Sequence, residues 1–165
     1  MVARHVRFKI NGRERDVVID TRLLLVDAIR ETFGLTGTQW CGLAGCSGAC
    51  TVLVNDWPVF SCLMLAVSAD RASIRTVEGF RCDDGDLHPL PRAFIEHCPS
   101  QCGHCTPGML MSAMALLESN PRPTREDVRR GLAGNICRCT GYSNVIDAVM
   151  MAAQHMHAAR EVNAR

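Results

Sequence analysis

The chain has 165 residues, of which 47% are hydrophobic and 21% charged, and its 18 Lys and Arg against 17 Asp and Glu leave a net charge of +1. That apolar share supports a packed core and excludes wholesale disorder, while the balanced charge makes nucleic acid or an acidic membrane surface an unexpected partner. The outlier is cysteine, 10 residues in a chain with only 5% aromatics.

Residues 1–10 carry Arg4, His5, Arg7 and Lys9 without an apolar run, so no secretory signal is expected there. No stretch approaches the ~20 apolar residues of a membrane span. A cytoplasmic location follows as the expectation, and there dense cysteine points to metal ligation rather than a disulfide scaffold. Val6, Phe8 and Ile10 alternate with charged residues and predict a strand. Asn11-Gly12 is a hairpin signal, and residues 16–19 form the returning strand. Leu24, Leu25, Ala28, Ile29 and Phe33 recur at helical spacing and predict a helix over 23–33, closed by Gly34. A loop with Cys41, Cys46 and Cys50 follows. Strands are expected at 51–54, 59–62 and 72–77, the first two joined by a turn at Asn55-Asp56.

The first four cysteines, Cys41, Cys46, Cys50 and Cys62, are separated by four, three and eleven residues. Zinc ribbons pair two knuckles, and this set does not. Three cysteines on one tight loop, closed by a later fourth, is the arrangement of a plant-type 2Fe–2S centre, in which each of two irons takes two thiolates. Gly42, Ala44, Gly45, Ser47, Gly48 and Ala49 are small enough to let backbone N–H groups approach the cluster sulfides. The competing reading is a Gly-rich turn with free thiols.

Residues 81–91 are polar and turn-rich and read as a connector. Helices are expected over 90–97, 107–119, 124–132 and 144–159, with Thr124 and Asp127 as a capping box. The second cysteine set, Cys102, Cys105, Cys137 and Cys139, is separated by two, thirty-one and one residues. Each of its pairs stands just before a helix. Thr106 is the expected N-cap and Pro107 the first helical residue of the helix after Cys105. A helix N-terminus favours an anionic four-thiolate cluster. The methionines at 109, 111, 114, 150, 151 and 156 read as helical core rather than ligands, His155 and His157 as a solvated helix face, and Cys82 and Cys98 as structural thiols.

The runs TGTQWCGLAGCSGACTVLVN, SC, QCGHCTPGM and GNICRCTGY, in that order, strongly resemble the small iron–sulfur subunit of the xanthine-oxidase-type molybdenum hydroxylases. The likeness spans about residues 6 to 153. Within that family the chain is similar to small subunits of carbon monoxide dehydrogenases, quinoline-type oxidoreductases and 4-hydroxybenzoyl-CoA reductases. The resemblance implies an α+β chain: a β-grasp, plant-type 2Fe–2S ferredoxin-like domain over 1–79 and an all-α four-helix 2Fe–2S-binding domain over 80–165. It implies two 2Fe–2S clusters, one on Cys41, Cys46, Cys50 and Cys62, the other on Cys102, Cys105, Cys137 and Cys139. Gln101 and Cys139 match the positions that meet the pterin. The implied partners are a large subunit with a molybdopterin (cytosine dinucleotide) molybdenum cofactor and a medium subunit with FAD, in a dimer of heterotrimers. No catalytic residue is expected on this chain; its implied role is to pass electrons from the molybdenum site to the flavin.

The first loop departs from the family pattern, which is Gly-Cys, four residues, Cys, two residues, Cys. Trp40 stands where glycine is expected and three residues separate Cys46 from Cys50. Without gaps, Gly42 and Ser47 fall on ligand positions. The expectation is a rethreaded loop in which Cys41 and Cys46 still bind. His104 replaces the usual Phe or Tyr. An N-heteroaromatic is the expected substrate class, with carbon monoxide, aldehydes and aromatic acyl-CoA esters as alternatives. Rivals of another class are a free-standing ferredoxin, which needs no helical domain, and a colourless zinc-binding interaction module.

Overall fold

A computed structural model describes residues 2–42, 44–80, 85–98 and 101–163, with residues 159–163 as backbone alone. Strands β1 (Ala3–Ile10) and β2 (Arg13–Asp20) form an antiparallel hairpin in which Ile10 faces Arg13. Asn11 and Gly12 between them have φ of 47° and 81°, the two positive values that a type I′ turn requires. Val6, Phe8 and Ile10 point together into the core, and the charged residues between them are exposed.

Residues 23–33 do not make one α-helix. The single turn α1 (Leu25–Asp27) widens into a π-helical turn over Ala28–Thr32, and the Phe33 amide bonds back five residues to the Ala28 carbonyl at 3.1 Å. The apolar face survives the change: Leu25, Val26, Ala28 and Ile29 are fully buried. Phe33 meets Phe8 edge-on, with ring centroids 5.7 Å apart.

β3 (Thr51–Val54) and β4 (Trp57–Phe60) form a second antiparallel hairpin, with Asn55 and Asp56 at φ 49° and 68°. This two-residue turn returns the chain at Trp57, two residues before the expected strand start. β4 is an edge strand, which tolerates Pro58 opposite Leu53. Cys62 consequently lies in a 3₁₀ turn, Ser61–Leu63, rather than in the strand. β5 (Ser73–Arg75) runs parallel to β1 and antiparallel to β3, giving the mixed order β2-β1-β5-β3-β4.

Four helices follow: α2 (Pro89–His97), α3 (Thr106–Ser119), α4 (Arg125–Gly131) and α5 (Ser143–Asn163). α3 starts one residue earlier than the sequence suggests. Cys105 occupies the N-cap, Thr106 the first position and Pro107 the second, where proline's missing N–H costs nothing. The capping box on α4 is present: the Thr124 hydroxyl accepts from the Asp127 amide, and the Asp127 carboxylate accepts from the Thr124 amide at 2.9 Å. Met109, Met111, Met114 and Cys98 are buried in the helical core. That core reaches the sheet through Leu53, while Val52 and Val54 face the other side. β3 is therefore buried on both faces, with α3 laid across it. The architecture is α+β, a mixed sheet with helices packed against it. Among the described residues no helix is long and apolar enough to cross a membrane. Cys82 lies outside the described residues.

Candidate metal centres

The first cysteine set is gathered by the loop that leads into β3 and by the 3₁₀ turn after β4. Gly42, Gly45 and Gly48 all take positive φ, which lets the chain coil tightly around the loop centre. Arg30 braces the loop's entry by donating to the carbonyls of Thr36 and Thr38 at 2.9 and 2.7 Å. The sulfurs come in twos. Cys50 and Cys62 are buried, with their sulfurs 3.2 Å apart, and the Gly45 amide donates to the Cys62 sulfur at 3.2 Å. Burial pushes the Cys50 thiol up to about 11. Cys41 and Cys46 are exposed on the loop and joined to each other as a disulfide.

The second set comes from the segment before α3 and the turn between α4 and α5. It too divides into twos, each drawing one cysteine from either segment. Cys139 donates to Cys102 across 3.7 Å, and Cys105 and Cys137 are near enough for each thiol to shift the other's pKa. Burial, then the Cys137 contact, pushes Cys105 up to about 12. At Cys137 burial acts in the same direction but is outweighed by the Thr140 hydroxyl and amide and by the Cys105 thiol, and the group settles at about 7. The Thr140 hydroxyl lies 3.3 Å from the Cys137 sulfur. Tyr142 braces the turn: its hydroxyl accepts from the Cys137 amide at 2.8 Å and donates to the Asn135 carbonyl at 3.2 Å. Gln101 is exposed, and its side-chain amide donates to the Cys139 carbonyl at 3.4 Å, so the two residues expected to face the pterin touch each other. The four sulfurs of this set, Cys98 and Gln101 line one narrow cavity.

Soft thiolate donors arranged as two plus two suit a binuclear iron centre, with two thiolates for each iron. Nearby N–H and O–H groups aimed at sulfur would tune such a centre.

The two sets are joined by a junction built from non-cysteine residues of the same runs. Asn135 is buried and donates its side-chain amide to the Gly48 carbonyl at 2.9 Å and to the Thr51 hydroxyl oxygen at 3.3 Å. The Thr51 hydroxyl donates to the same carbonyl at 2.6 Å. A Cβ on Gly48 would lie 2.2 Å from the Gly134 carbonyl oxygen, and one on Gly108 would lie 2.2 Å from the Gly48 carbonyl oxygen. Three backbones thus meet here, and at Gly48 and Gly108 they leave no room for a side chain. Gly48 and Asn135 flank cysteines in sequence, which was the only available hint of this contact.

This is the build of an iron–sulfur electron-transfer protein, and the comparisons with known proteins agree. Residues 76–150 match the family model described as "[2Fe-2S] binding domain". The chain is 49% identical to the nicotine 6-hydroxylase small subunit of Paenarthrobacter nicotinovorans, over 86% of this chain and 85% of that one. It is 43% identical to the nicotinate dehydrogenase small FeS subunit of Eubacterium barkeri, over 90% and 94%. Among solved structures, quinoline 2-oxidoreductase from Pseudomonas putida 86 superposes with a TM-score of 0.88 at 42% identity, covering 94% of this chain and 97% of that one. The chain belongs to the small iron–sulfur subunits of the molybdenum hydroxylases. It is the electron-transfer subunit of a multi-subunit oxidoreductase.

Proposed function

We propose that Cys41, Cys46, Cys50 and Cys62 hold one 2Fe–2S cluster in a β-grasp ferredoxin-like domain over 1–79, and that Cys102, Cys105, Cys137 and Cys139 hold a second in a four-helix domain over 80–165. When bound, such clusters supply one-electron oxidation and reduction. The chain supplies thiolates, the donors beside them and burial from water. The gathering of all four cysteines of the second set around one narrow cavity carries this reading. For the first set, the Gly45 amide, next to Cys46, donates to the Cys62 sulfur, which brings the loop of Cys41 and Cys46 against the buried Cys50 and Cys62.

A molybdopterin (cytosine dinucleotide) site on a large subunit would supply electrons to the second set, on the side of Gln101 and Cys139. Both Gln101 and Cys102 are exposed, so this end of the path is open to a partner. FAD on a medium subunit would accept electrons from the first set. There the exposed Cys41 and Cys46 are flanked by Trp40 and by Leu63, 37% and 62% exposed, an apolar rim suited to a protein partner. Nicotine, nicotinate and quinoline in the relatives' names share an N-heteroaromatic ring, and we assign the holoenzyme a substrate of that class. The assembly is a cytoplasmic dimer of heterotrimers. Cys137→Ser in the assembled enzyme should abolish the second cluster and stop acceptor reduction. Normal turnover with an electron acceptor in that variant would refute the path.

A further inference from the structure

We propose that Asn135 is a positioning residue that fixes the first cysteine loop against the second and so sets the electronic coupling between the two centres; this rests on the two-cluster reading above. Asn135 precedes Cys137 by two residues and its target, Gly48, lies two residues from both Cys46 and Cys50. The Gly48 carbonyl accepts from three donors: the Asn135 side-chain amide at 2.9 Å, the Thr51 hydroxyl at 2.6 Å and the Thr51 amide at 3.1 Å. Beside them the Ile136 amide donates to the Ser47 carbonyl at 2.8 Å. The contact spans 87 residues of sequence and is buried, with the Gly108 and Gly134 backbones packed close against Gly48.

A packing role alone does not account for this side chain. Its oxygen, Oδ1, is buried without a hydrogen-bond partner among the described residues. An unpaired buried oxygen opposes stability, and an apolar residue of similar size would not carry it. The carboxamide is present for its N–H groups, which point at the first loop. Each centre is anchored within two residues of this bond, so displacing it moves one sulfur set relative to the other.

The test uses the purified native complex, fully reduced with dithionite, and reads the magnetic splitting between its two EPR signals. Iron per chain is measured alongside, together with the rate of flavin reduction after mixing with substrate. Asn135→Asp keeps the size and removes both N–H donors. The expected result is iron content unchanged, splitting altered and flavin reduction slowed several-fold. Unchanged splitting with full iron would overturn the proposal. Should Asn135→Asp lose iron, Thr51→Val, which removes one of the three bonds to Gly48, decides: a smaller change in splitting supports the clamp, and none overturns it. A native complex with a single iron–sulfur signal would sink the two-cluster reading itself and the clamp with it.

Discussion

The amide of Ile136 donates to the carbonyl of Ser47 across 2.8 Å. Ser47 follows Cys46 and Ile136 precedes Cys137, so one hydrogen bond joins residues adjacent to a cysteine in each set. The sheet and the helices are thereby locked together where their cysteines come closest in covalent terms. A chain that only had to stabilise two separate domains would need no such contact at this place. In an electron-transfer subunit it gives a fixed route of covalent bonds and one hydrogen bond between the two sulfur sets.

Gly48 is the most constrained point of that junction. Its φ is 70°, and an added Cβ would strike the Gly134 carbonyl, which is backbone and has nowhere to go. Gly48→Ala should therefore combine left-handed strain with overpacking and cost about 3 kcal/mol. Gly12→Ala is the control: φ is 81° but the space is open, so the cost should be about 1 kcal/mol. Denaturant unfolding of both variants, at matched iron content, gives the comparison. Equal destabilisation would mean that the glycine junction is looser than described.

The displaced cysteines of the first loop make a second prediction. Cys46→Ser should remove the first cluster and halve the iron of the subunit, while Ser47→Ala should leave iron unchanged. Iron analysis of the two variants separates the rethreaded loop from the ungapped alignment, in which Ser47 would be a ligand. The opposite pattern would transfer the ligand role to Ser47.

Asp127 supplies a pH signature away from the metal centres. Its carboxylate accepts from the Thr124 amide and hydroxyl at 2.9 and 2.8 Å, and these bonds hold its pKa below the ordinary carboxylate value. A lowered folded-state pKa stabilises the fold above the unfolded value and loses that contribution as pH falls through the folded one. The Tm advantage of the native chain over Asp127→Asn should hold constant from neutral pH down to about 5 and shrink below the usual carboxylate range. Thermal melts of the pair across that interval check it. A Tm difference that grows in acid would contradict the cap.

The sequence was most informative where its signals are local. Alternation at Val6, Phe8 and Ile10 with Asn11-Gly12 marked the first hairpin, and Thr124 with Asp127 marked the α4 cap. It failed where a local pattern has two solutions. The apolar spacing of Leu25 to Phe33 is satisfied by a π-helical turn as well as by an α-helix, and the run from Val59 to Cys62 continues as a 3₁₀ turn once β4 starts early. Spacing sorted eight cysteines into two sets. It could not say that Cys102 would meet Cys139 and Cys105 would meet Cys137, because that pairing depends on how the turn after α4 crosses the start of α3. Asn135, Gly108 and Gly134 stood inside the cysteine runs without any sign of their meeting Gly48, since a side chain meeting a carbonyl 87 residues away leaves no period in the sequence.

Two distinct 2Fe–2S centres on one chain leave a direct analytical signature. Iron and acid-labile sulfide per chain, measured on the purified native complex together with an EPR spectrum of its reduced form, test for it most directly. Four irons, two per cluster, and two separate iron–sulfur signals are expected. Two irons and a single signal would contradict the two centres.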